Sequence, residues 1–332
     1  MRIEEIRSEK GLKKGISLWN KRREDFLLNE KIIRQNLLSP YKDLNSAVLG
    51  CWHEDELKGF AALKWLSETV KNYAGPGDGW ISLFTASDDC RREIFQEILT
   101  FFSDREVKKI RYGGDPQNFF AGLPAKWKDK ELNFWLEAGF ERGNAIYDMR
   151  RVYGDDIESD DYLSRYLSRG SENNCILKKG SRKIQEQAIK FLKKEFPGRW
   201  LYEAENIMKR PGGVHDYWFL AEDETSKEEI KSSDILGFAR INRCDSLYLG
   251  PGLNWVEKRR ITDCNIAGIG PLGLAQSARG RGLSLPFIAE IIRDLHREGY
   301  REFIIDWTDL VNYYKKLGFE VWRKYIPLNL NV

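Results

Sequence analysis

A basic, glycine-rich loop in the last third of the chain has residue types that bind phosphate. It follows the apolar run 265–274 and precedes an amphipathic segment at 283–298. Glycines allow the backbone to approach a ligand closely, and the N–H groups of a first helical turn bind anions. The predicted phosphate-binding residues are Arg279, Gly280, Arg281, Gly282, Leu283 and Ser284. An ordinary basic turn and an RGG-like nucleic-acid segment are the alternatives.

Two residues with acid–base side chains follow this loop. Asp306 lies at the end of a predicted strand at 302–307, and Tyr314 lies in the segment after it. The order of strand, glycine loop, helix, strand and helix places both near the ends of neighbouring elements. A phosphate loop beside a carboxylate and a phenol predicts an acyl-transfer site. Asp306 is the first candidate for the base and Asp309 the second. The alternatives are a structural hydrogen bond for Asp306, helix capping with Thr308 for Asp309, and a chain of waters in place of a base.

The segment that ends this region has a counterpart in the first half of the chain. Phe134–Glu141 and Tyr313–Glu320 align without a gap, and both end in Gly-Phe-Glu. They lie 179 residues apart, and each follows a predicted strand, helix and strand of similar length. Agreement in sequence and in element order predicts an internal duplication.

Hydrophobic periodicity predicts two halves with similar elements. In the first half it predicts helices within 15–36, a hairpin of 46–52 and 57–63, a strand at 79–85, a helix at 89–102, a strand at 107–112, a helix at 132–140 and a strand at 145–150. In the second half it predicts a strand at 174–177, a helix at 184–196 and a hairpin of 217–222 and 235–241. The acidic, polar segment 154–172 predicts a linker, which gives domains at 1–153 and 173–332.

The composition argues against several classes of protein. The chain has 332 residues with 54 basic and 51 acidic side chains, and its net charge of +3 is too small for a dedicated nucleic-acid-binding protein. The charged N-terminus has no signal-peptide core, and no uninterrupted apolar run approaches the roughly 20 residues of a membrane span. Five cysteines and three histidines show no paired or zinc-type spacing. We therefore expect reduced thiols, no metal, a cytoplasmic location, no nucleic-acid or membrane partner, and a monomer or homodimer.

With these motifs the chain resembles the acyl-CoA N-acyltransferases called GNAT. The resemblance lies in Gly270-Pro-Leu-Gly-Leu274, Arg279-Gly-Arg-Gly-Leu283 and Tyr314-Lys-Lys-Leu-Gly-Phe-Glu320. The GNAT loop usually begins with Gln or Arg where this chain has Ser277, and many members have an asparagine where it has Trp307. The resemblance implies an α+β (mixed α/β) fold of two tandem GNAT-like domains, each with a mixed, mostly antiparallel central sheet flanked by helices.

The resemblance also implies roles for individual residues. Backbone groups of Leu272, Gly273 and Leu274 would pair with the pantetheine arm of acetyl-CoA and polarise the acetyl carbonyl, while the loop 279–284 would hold its pyrophosphate. Tyr314 would donate a proton to the leaving thiolate, because a phenol with a pKa of about 10 is protonated at neutral pH. A buried edge strand and a packing aromatic residue are the respective alternatives.

Short sequence patterns in each half of the chain add detail to this predicted fold and site. Gly270-Pro271 predicts a β-bulge, because proline cannot donate a hydrogen bond to a neighbouring strand. The first half carries Ser-Asp-Asp-Cys-Arg-Arg at 87–92, where the second half has its glycine loop, and Trp135 in place of Tyr314. An acidic loop repels a pyrophosphate. Residues 1–153 are therefore predicted to form a degenerate, non-catalytic domain, and residues 173–332 the catalytic one.

The predicted reaction is transfer of acetyl from acetyl-CoA to a primary amine, by direct attack of the amine. The Trp-Thr-Asp-Leu-Val run at 307–311 resembles a tandem-GNAT group that includes bacterial glucosamine and glucosaminide N-acetyltransferases linked to cell-wall sugar recycling. An amino sugar is thus the first expected acceptor. Aminoglycosides, polyamines and peptide amines are other acceptors, and a non-catalytic CoA-binding or interaction module is a second class. Candidates for acceptor contacts, or alternatively core or incidental residues, are Trp200, Trp218, Trp255, Trp307 and His215.

Overall fold

Two compact units make up the chain. The computed structural model describes residues 1–117, 119–127, 129–170, 174–223, 230–246, 248–256 and 265–332. Unit 1 comprises Met1–Ile146 and Lys324–Val332, and unit 2 comprises Tyr147–Arg323. No helix within the described ranges is long and apolar enough to cross a membrane.

Unit 1 is built on a mixed sheet flanked by helices. Its strands are β1 (Arg2–Glu5), β2 (Leu44–His53), β3 (Glu56–Leu66), β4 (Asp78–Ala86), β5 (Lys109–Tyr112), β6 (Leu123–Pro124), β7 (Glu141–Arg142) and, from the end of the chain, β15 (Leu328–Asn331). Its helices are α1 (Glu9–Arg22), α2 (Glu30–Ile33), α3 (Arg91–Ser103) and α4 (Asp129–Glu137), with a π-helical turn at Arg34–Leu38. The strand order is β1-β2-β3-β4-β5-β15-β7. The β4–β5 pair is parallel, and its neighbours β3–β4 and β5–β15 are antiparallel.

Unit 2 repeats this plan with its own mixed sheet. Its strands are β8 (Ile146–Val152), β9 (Cys175–Lys179), β10 (Tyr217–Glu222), β11 (Ile235–Arg243), β12 (Ile266–Leu274), β13 (Glu302–Thr308) and β14 (Glu320–Ile326). Its helices are α5 (Ser164–Gly170), α6 (Arg182–Glu195), α7 (Arg199–Met208), α8 (Pro251–Asn254), α9 (Ser284–Arg297) and α10 (Val311–Tyr314), with 3-10 turns at Gly213–Asp216, Gln276–Ala278 and Lys315–Leu317. The strand order is β14-β8-β13-β12-β11-β10-β9, in which β12–β13 is parallel. The last residues of β14 belong to unit 1, where Tyr325 and Ile326 pair with β6.

The same module occurs in both units and confirms the predicted tandem α+β fold. Unit 1 contains β2-β3-β4-α3-β5, and unit 2 contains β10-β11-β12-α9-β13. In each module a hairpin leads to a strand, and an amphipathic helix then crosses to a parallel partner. Helix α3 buries Ile94, Ile98 and Phe102 at helical spacing, and α9 buries a stripe that includes Ile288 and Ile292. The apolar periodicity of these segments fixes which helix face packs on the sheet.

The predicted domain boundaries differ from the observed units at two strands. The strand predicted to close the first half is β8, which pairs with β13 of unit 2 in the register Glu302↔Val152 to Ile305↔Met149. The last strand of the chain, β15, pairs with β5 of unit 1, with Leu328 opposite Tyr112. Hydrophobic alternation predicts that a segment is a strand, but it does not say which sheet the strand joins.

Residues 154–170 also differ from the predicted linker, because they are part of unit 2. They include α5, which packs against α9, and they bury Ile157, Leu163 and Leu167. These few apolar side chains lie among many charges, so the segment reads as polar in sequence. Residues 171 and 172 of the predicted linker lie outside the described residues.

The cysteines depart from the expectation of five reduced thiols. Cys51, Cys90 and Cys175 are free, whereas Cys244 is disulfide-bonded. Cys264 lies outside the described residues. Burial and the neighbouring Cys90 raise the pKa of Cys51 to about 12, which makes it a protonated core thiol. Sequence spacing failed to predict the disulfide because bonding depends on distance in the folded chain.

Candidate active site

Strands β12 and β13 separate after a short parallel pairing. The paired residues run from Ile266↔Glu302 to Gly268↔Ile304, although β12 continues to Leu274 and β13 to Thr308. Beyond Gly268, the described residues contain no further pairing between these strands. An opening therefore lies between them, and the edge of β12 that faces it is available to pair with an extended ligand.

The predicted bulge in β12 is confirmed at the start of this opening. Ile269 pairs with Ile241 and Leu272 with Ala239, so that Gly270 and Pro271 together oppose one residue of β11. Gly270 has a φ of +152°, which favours glycine, and its carbonyl accepts a hydrogen bond from the buried Asn242 Nδ2 at 3.0 Å. The bulge thus turns the end of β12 at the position where the two strands part.

The predicted pantetheine contacts Leu272, Gly273 and Leu274 lie on the segment beyond this bulge. Their pairing partners on β11 are Ala239, Phe238 and Gly237, so one edge of the segment is used and the other faces the opening. A side chain at Gly273 would meet the Phe196 ring at 2.6 Å and Trp200 at 3.0 Å. Glycine is therefore required there for close packing against the α6–α7 connection. The contacts with pantetheine remain a prediction.

The predicted phosphate loop has open space next to its two glycines. Gly280 and Gly282 have φ values of +77° and +73°, and no atom lies within 4 Å of a Cβ built on either glycine. The Arg279 side chain folds back, with Nε donating to the Leu274 carbonyl at 3.2 Å and a second donor to Gln276 at 2.9 Å. Arg281 is exposed, 3.9 Å from Glu222.

Helix α9 begins directly after this loop. It starts at Ser284, and the N-cap residue Leu283 has no side chain that caps the first turn. The first N–H groups of a helix have no partner within the helix and carry partial positive charge. The loop 279–284 therefore combines open glycines, an exposed arginine and free helix N–H groups, as an anion site requires.

Asp306 is carried by a second bulge, on β13. Ile305 pairs with Met149 and Thr308 with Tyr147, so Asp306 and Trp307 together oppose the single residue Asp148 of β8. Trp307 has a positive φ of +50°, unusual for a non-glycine residue. Its N–H donates to Asp148 Oδ1 at 3.2 Å.

The Asp306 carboxyl lies between two glycines. Its Oδ2 accepts a hydrogen bond from the Gly252 N–H at 3.1 Å, and its Oδ1 lies 3.2 Å from the Cβ position of Gly270. The side chain remains partly accessible to solvent but sits deep in the unit. Burial and the Asp148 charge raise the pKa of Asp306 to about 7, against the opposing effects of the Gly252 N–H and Arg240. Asp306 can therefore both hold and release a proton near neutral pH.

Tyr314 lies in the short helix α10, which follows β13 and Asp306 in the chain. Its side chain is buried, and burial, Tyr313 and Asp306 raise the pKa of its phenol. Tyr314 is consequently a proton donor at neutral pH. Its neighbour Tyr313 makes a different contact, in which the hydroxyl donates to the Ser284 Oγ at 2.6 Å at the start of α9.

The other predicted residues divide between surface, core and site. Asp309 is exposed, and it is Thr308 Oγ1 that accepts the Leu310 N–H, at 3.0 Å. His215 is exposed and bonds the Gly180 carbonyl through Nδ1 at 2.9 Å. Trp218 and Trp255 are core residues, whereas Trp200 and Trp307 are partly exposed.

Several polar residues near Asp306 were not predicted from the sequence. Asp148 is fully buried, and Glu203 is 3% exposed and pairs with Arg199 at 2.5 Å. The Arg199 guanidinium also lies 5.0 Å from the Trp307 ring. Asp148 lies in a strand that also contains two arginines, so its sequence gave no signal that this acid is buried. The remaining contacts depend on long-range packing that a single sequence does not show.

Unit 1 has the corresponding strand separation but fills it with aromatic side chains. The β4–β5 pairing ends at Ile81↔Tyr112, while β4 continues to Ala86. Trp135 is fully buried and packs against Phe84 and Tyr112, each with ring centroids 4.9 Å away. In place of a glycine loop, exposed Asp88 pairs with Lys130 and Arg91 at the start of α3.

Metal-binding groups are not found in the part of the chain that the structure describes: no cluster of three or more His, Cys, Asp or Glu residues is arranged to hold an ion. Asp306, Tyr314 and the open loop 279–284 are therefore the candidate chemical groups of unit 2.

Solved structures that this chain resembles in fold include proteins described as GNAT or GCN5-related acetyltransferases. The GCN5-related glucosamine N-acetyltransferase region of a fungal multi-domain GH3 β-N-acetylglucosaminidase matches 99% of this chain with a TM-score of 0.82 and 18% identity, and this chain spans 38% of that one. A tandem GNAT protein from the clavulanic acid biosynthesis pathway matches 99% of this chain and 98% of its own, with a TM-score of 0.67 and 10% identity. A GCN5-related N-acetyltransferase from Sphaerobacter thermophilus matches 86% of this chain and 80% of its own, with a TM-score of 0.50 and 12% identity.

Neither a family model nor a curated protein matches the sequence. The fold is nevertheless clear from these structural similarities: the chain is a tandem GNAT fold, as its sequence motifs predicted.

Proposed function

We propose that unit 2 transfers an acetyl group from acetyl-CoA to a primary amine. One observation carries the proposal: Asp306 lies where β12 and β13 separate and interacts electrostatically with Tyr314. In this proposal, a group that can accept a proton and a group that can donate one act where the β12–β13 pairing has ended and an extended ligand can lie.

The donor would lie along β12. The free edge of Leu272–Leu274 pairs with the pantetheine arm, and the loop 279–284 binds the pyrophosphate through backbone N–H groups. The open space above Gly280 and Gly282 fits a phosphate that approaches the main chain closely. Arg281 is exposed and adds positive charge at this loop.

The proton transfers follow from the two side chains. The amine nitrogen attacks the acetyl carbonyl, a C–N bond forms and the C–S bond breaks. Asp306 takes the proton that the amine loses, directly or through water, and Tyr314 gives its proton to the departing sulfur. The raised pKa of Tyr314 favours its return to the protonated form after each turnover.

The proposed acceptor is an amino sugar such as glucosamine or a glucosaminide. Two observations support this choice: the structural similarity to a glucosamine N-acetyltransferase region, and the partly exposed rings of Trp200 and Trp307 in unit 2. Aromatic faces stack on the apolar faces of sugar rings. In contrast, we propose that unit 1 does not catalyse, because Trp135 replaces the tyrosine and the strand opening is filled.

The test is release of free thiol from acetyl-CoA in the presence of a panel of amines: glucosamine, a glucosaminide, spermidine, an aminoglycoside and a peptide amine. We expect turnover with one or more amines, highest with an amino sugar, and its loss in Asp306→Asn. Turnover only with a different amine would reject the acceptor but keep the reaction. No thiol release with any amine, together with calorimetric binding of CoA, would favour a non-catalytic CoA-binding module.

A further inference from the structure

Asp148 is a buried carboxylate that faces the candidate base from a different strand. It is fully buried on β8, opposite the Asp306–Trp307 bulge of β13. Its Oδ1 accepts the Trp307 N–H at 3.2 Å, so the carboxylate is bonded to the bulge itself. A bulge leaves backbone groups without ladder partners, and here a side chain supplies one of them.

The Asp148 carboxyl has a cation close to its second oxygen. Its Oδ2 lies 3.9 Å from a guanidinium nitrogen of Arg323 on β14, whose side chain is only 10% exposed. A hydrogen bond from an N–H group and a nearby cation both stabilise a carboxylate. Asp148 therefore places a second carboxyl group opposite the bulge.

Asp306 experiences charges from every element that packs around it. Asp148 on β8 and Glu203 on α7 disfavour its ionised form, and Tyr314 on α10 adds a phenol beside it. Arg240 on β11 and the Gly252 N–H on α8 favour the ionised form. Arg199, also on α7, is engaged by Glu203 at 2.5 Å. Among the charged groups, Asp148 has the largest effect on Asp306.

We propose that Asp148 is a positioning residue for the transfer reaction: it fixes the bulge that carries Asp306 through the Trp307 N–H, and it places a second carboxyl group opposite the candidate base. This inference rests on the proposed function of unit 2. Without the Asp148 carboxyl, Asp306 would ionise at a lower pH and would be a weaker base towards an amine at neutral pH.

The first experiment is a carboxyl ¹³C NMR titration of the aspartates in the full chain, which requires no turnover. The Asp306 signal is identified by its absence in Asp306→Asn. We expect a wild-type midpoint near neutrality and, in Asp148→Asn, a midpoint lower by about one pH unit or more. The asparagine keeps an oxygen that can accept the Trp307 N–H, so it removes the carboxyl and leaves the bulge supported.

The matched control is Glu302→Gln. Glu302 pairs with Arg150 across the same two strands at 2.6 Å, at the end away from the bulge. We expect this variant to leave the Asp306 midpoint unchanged. If Asp148→Asn does not fold, a wild-type midpoint at the ordinary value of about 4 still overturns the proposal.

The second experiment is the pH profile of turnover with the best amine. In Asp148→Asn the acidic limb of kcat/KM should move to lower pH together with the NMR midpoint, while the KM for acetyl-CoA stays unchanged. An unmoved limb and an unmoved midpoint would both reject the role of Asp148. If the wild-type chain acetylates no amine, the proposed function fails, and the NMR titration alone decides whether Asp148 controls Asp306.

Discussion

Tyr314 and Trp135 occupy the same structural place in the two units. The Tyr314 carbonyl accepts the N–H of Phe319 at 3.3 Å, and the Trp135 carbonyl accepts the N–H of Phe140 at 3.0 Å. In both cases a glycine with positive φ, Gly318 or Gly139, precedes the phenylalanine and ends the helical turn. The predicted alignment of the two Gly-Phe ends is thus confirmed in backbone hydrogen bonds.

The side chain at this shared position differs between the two units. In unit 2 the side chain at this place is a phenol near Asp306, beside an opening between strands. In unit 1 it is a tryptophan that packs into an aromatic cluster with Phe84 and Tyr112. The same backbone position thus carries a phenol in unit 2 and a core tryptophan in unit 1.

The first prediction concerns the Tyr314 hydroxyl. Tyr314→Phe keeps the buried ring and removes the proton donor, so kcat should fall by about 10²-fold or more while the KM for acetyl-CoA changes little. Steady-state kinetics at several acetyl-CoA concentrations measures both parameters. Tyr313→Phe is the matched control, because it removes a neighbouring hydroxyl that bonds Ser284. Full turnover by Tyr314→Phe would remove the general-acid assignment.

The second prediction tests the phosphate loop through its backbone. Alanine at Gly280 or Gly282 meets no neighbouring atom, but the left-handed φ is unfavourable for a residue with a Cβ by about 1–2 kcal/mol. Relief of this strain turns the loop N–H groups away from the phosphates. We expect the KM for acetyl-CoA to rise by roughly 5- to 30-fold with little change in kcat.

Gly299→Ala is the control for that experiment. Gly299 also has a positive φ, +103°, with no atom within 4 Å of its Cβ position, but it follows the other end of α9. Gly299→Ala should lower the thermal stability of the protein about as much as alanine at Gly280 or Gly282. The KM of this variant for acetyl-CoA should stay unchanged. An equal KM increase in all three variants would show that general destabilisation, and not the loop, weakens binding.

The parts of the site that could be predicted from the sequence are those formed by local segments. The glycine loop, the bulge at Gly270-Pro271, Asp306 and Tyr314 all lie within one continuous stretch, where residue type and spacing report structure directly. Asp148 could not be assigned to this site, because its strand was predicted to belong to the other half of the chain. Strand pairing across more than a hundred residues leaves no periodic signal in a single sequence.

Side-chain packing in the folded chain accounts for the other differences between the sequence prediction and the structure. The segment 154–170 buries Leu163 and Leu167 among many charged residues, so its mean polarity hid a short helix. Close packing also requires glycine at some positions, and the sequence does not show which neighbours cause this requirement. A side chain at Gly252 would meet Ile304 at 2.6 Å, and this approach allows the Gly252 N–H to reach Asp306. Such requirements follow from the folded arrangement and cannot be read from spacing.

The third prediction is a pH-dependent stability effect of Asp306. Its pKa is about 7 in the folded chain and about 4 in the unfolded chain, so the folded state binds the proton more tightly. The resulting contribution to stability is fully present below pH 4 and is lost as pH rises through 7. Asp306→Asn cannot ionise, so it should gain stability relative to wild type as pH rises from 5 to 8, by the order of 2–4 kcal/mol.

Urea denaturation at pH 5, 6, 7 and 8 measures this difference between the two chains. Asp309→Asn serves as the control, because it removes a carboxylate from an exposed position three residues further along the chain. A constant difference between wild type and Asp306→Asn across this range would show that Asp306 titrates at its ordinary pKa. That result would also remove the physical basis for its choice as the base.

The fourth prediction concerns the strand that unit 1 receives from the end of the chain. Truncation after Pro327 removes β15, in which Leu328 is 1% exposed and lies opposite Tyr112 of β5. The amides of 109–112 would lose strand partners and an apolar cover, so they should exchange hydrogen much faster, by about 100-fold or more. Hydrogen-exchange mass spectrometry of peptides that contain β5 measures this. Truncation after Asn331 is the control, because it removes only Val332 and its bond to the Lys108 carbonyl. Unchanged protection of β5 in the longer truncation would contradict the assignment of β15 to unit 1.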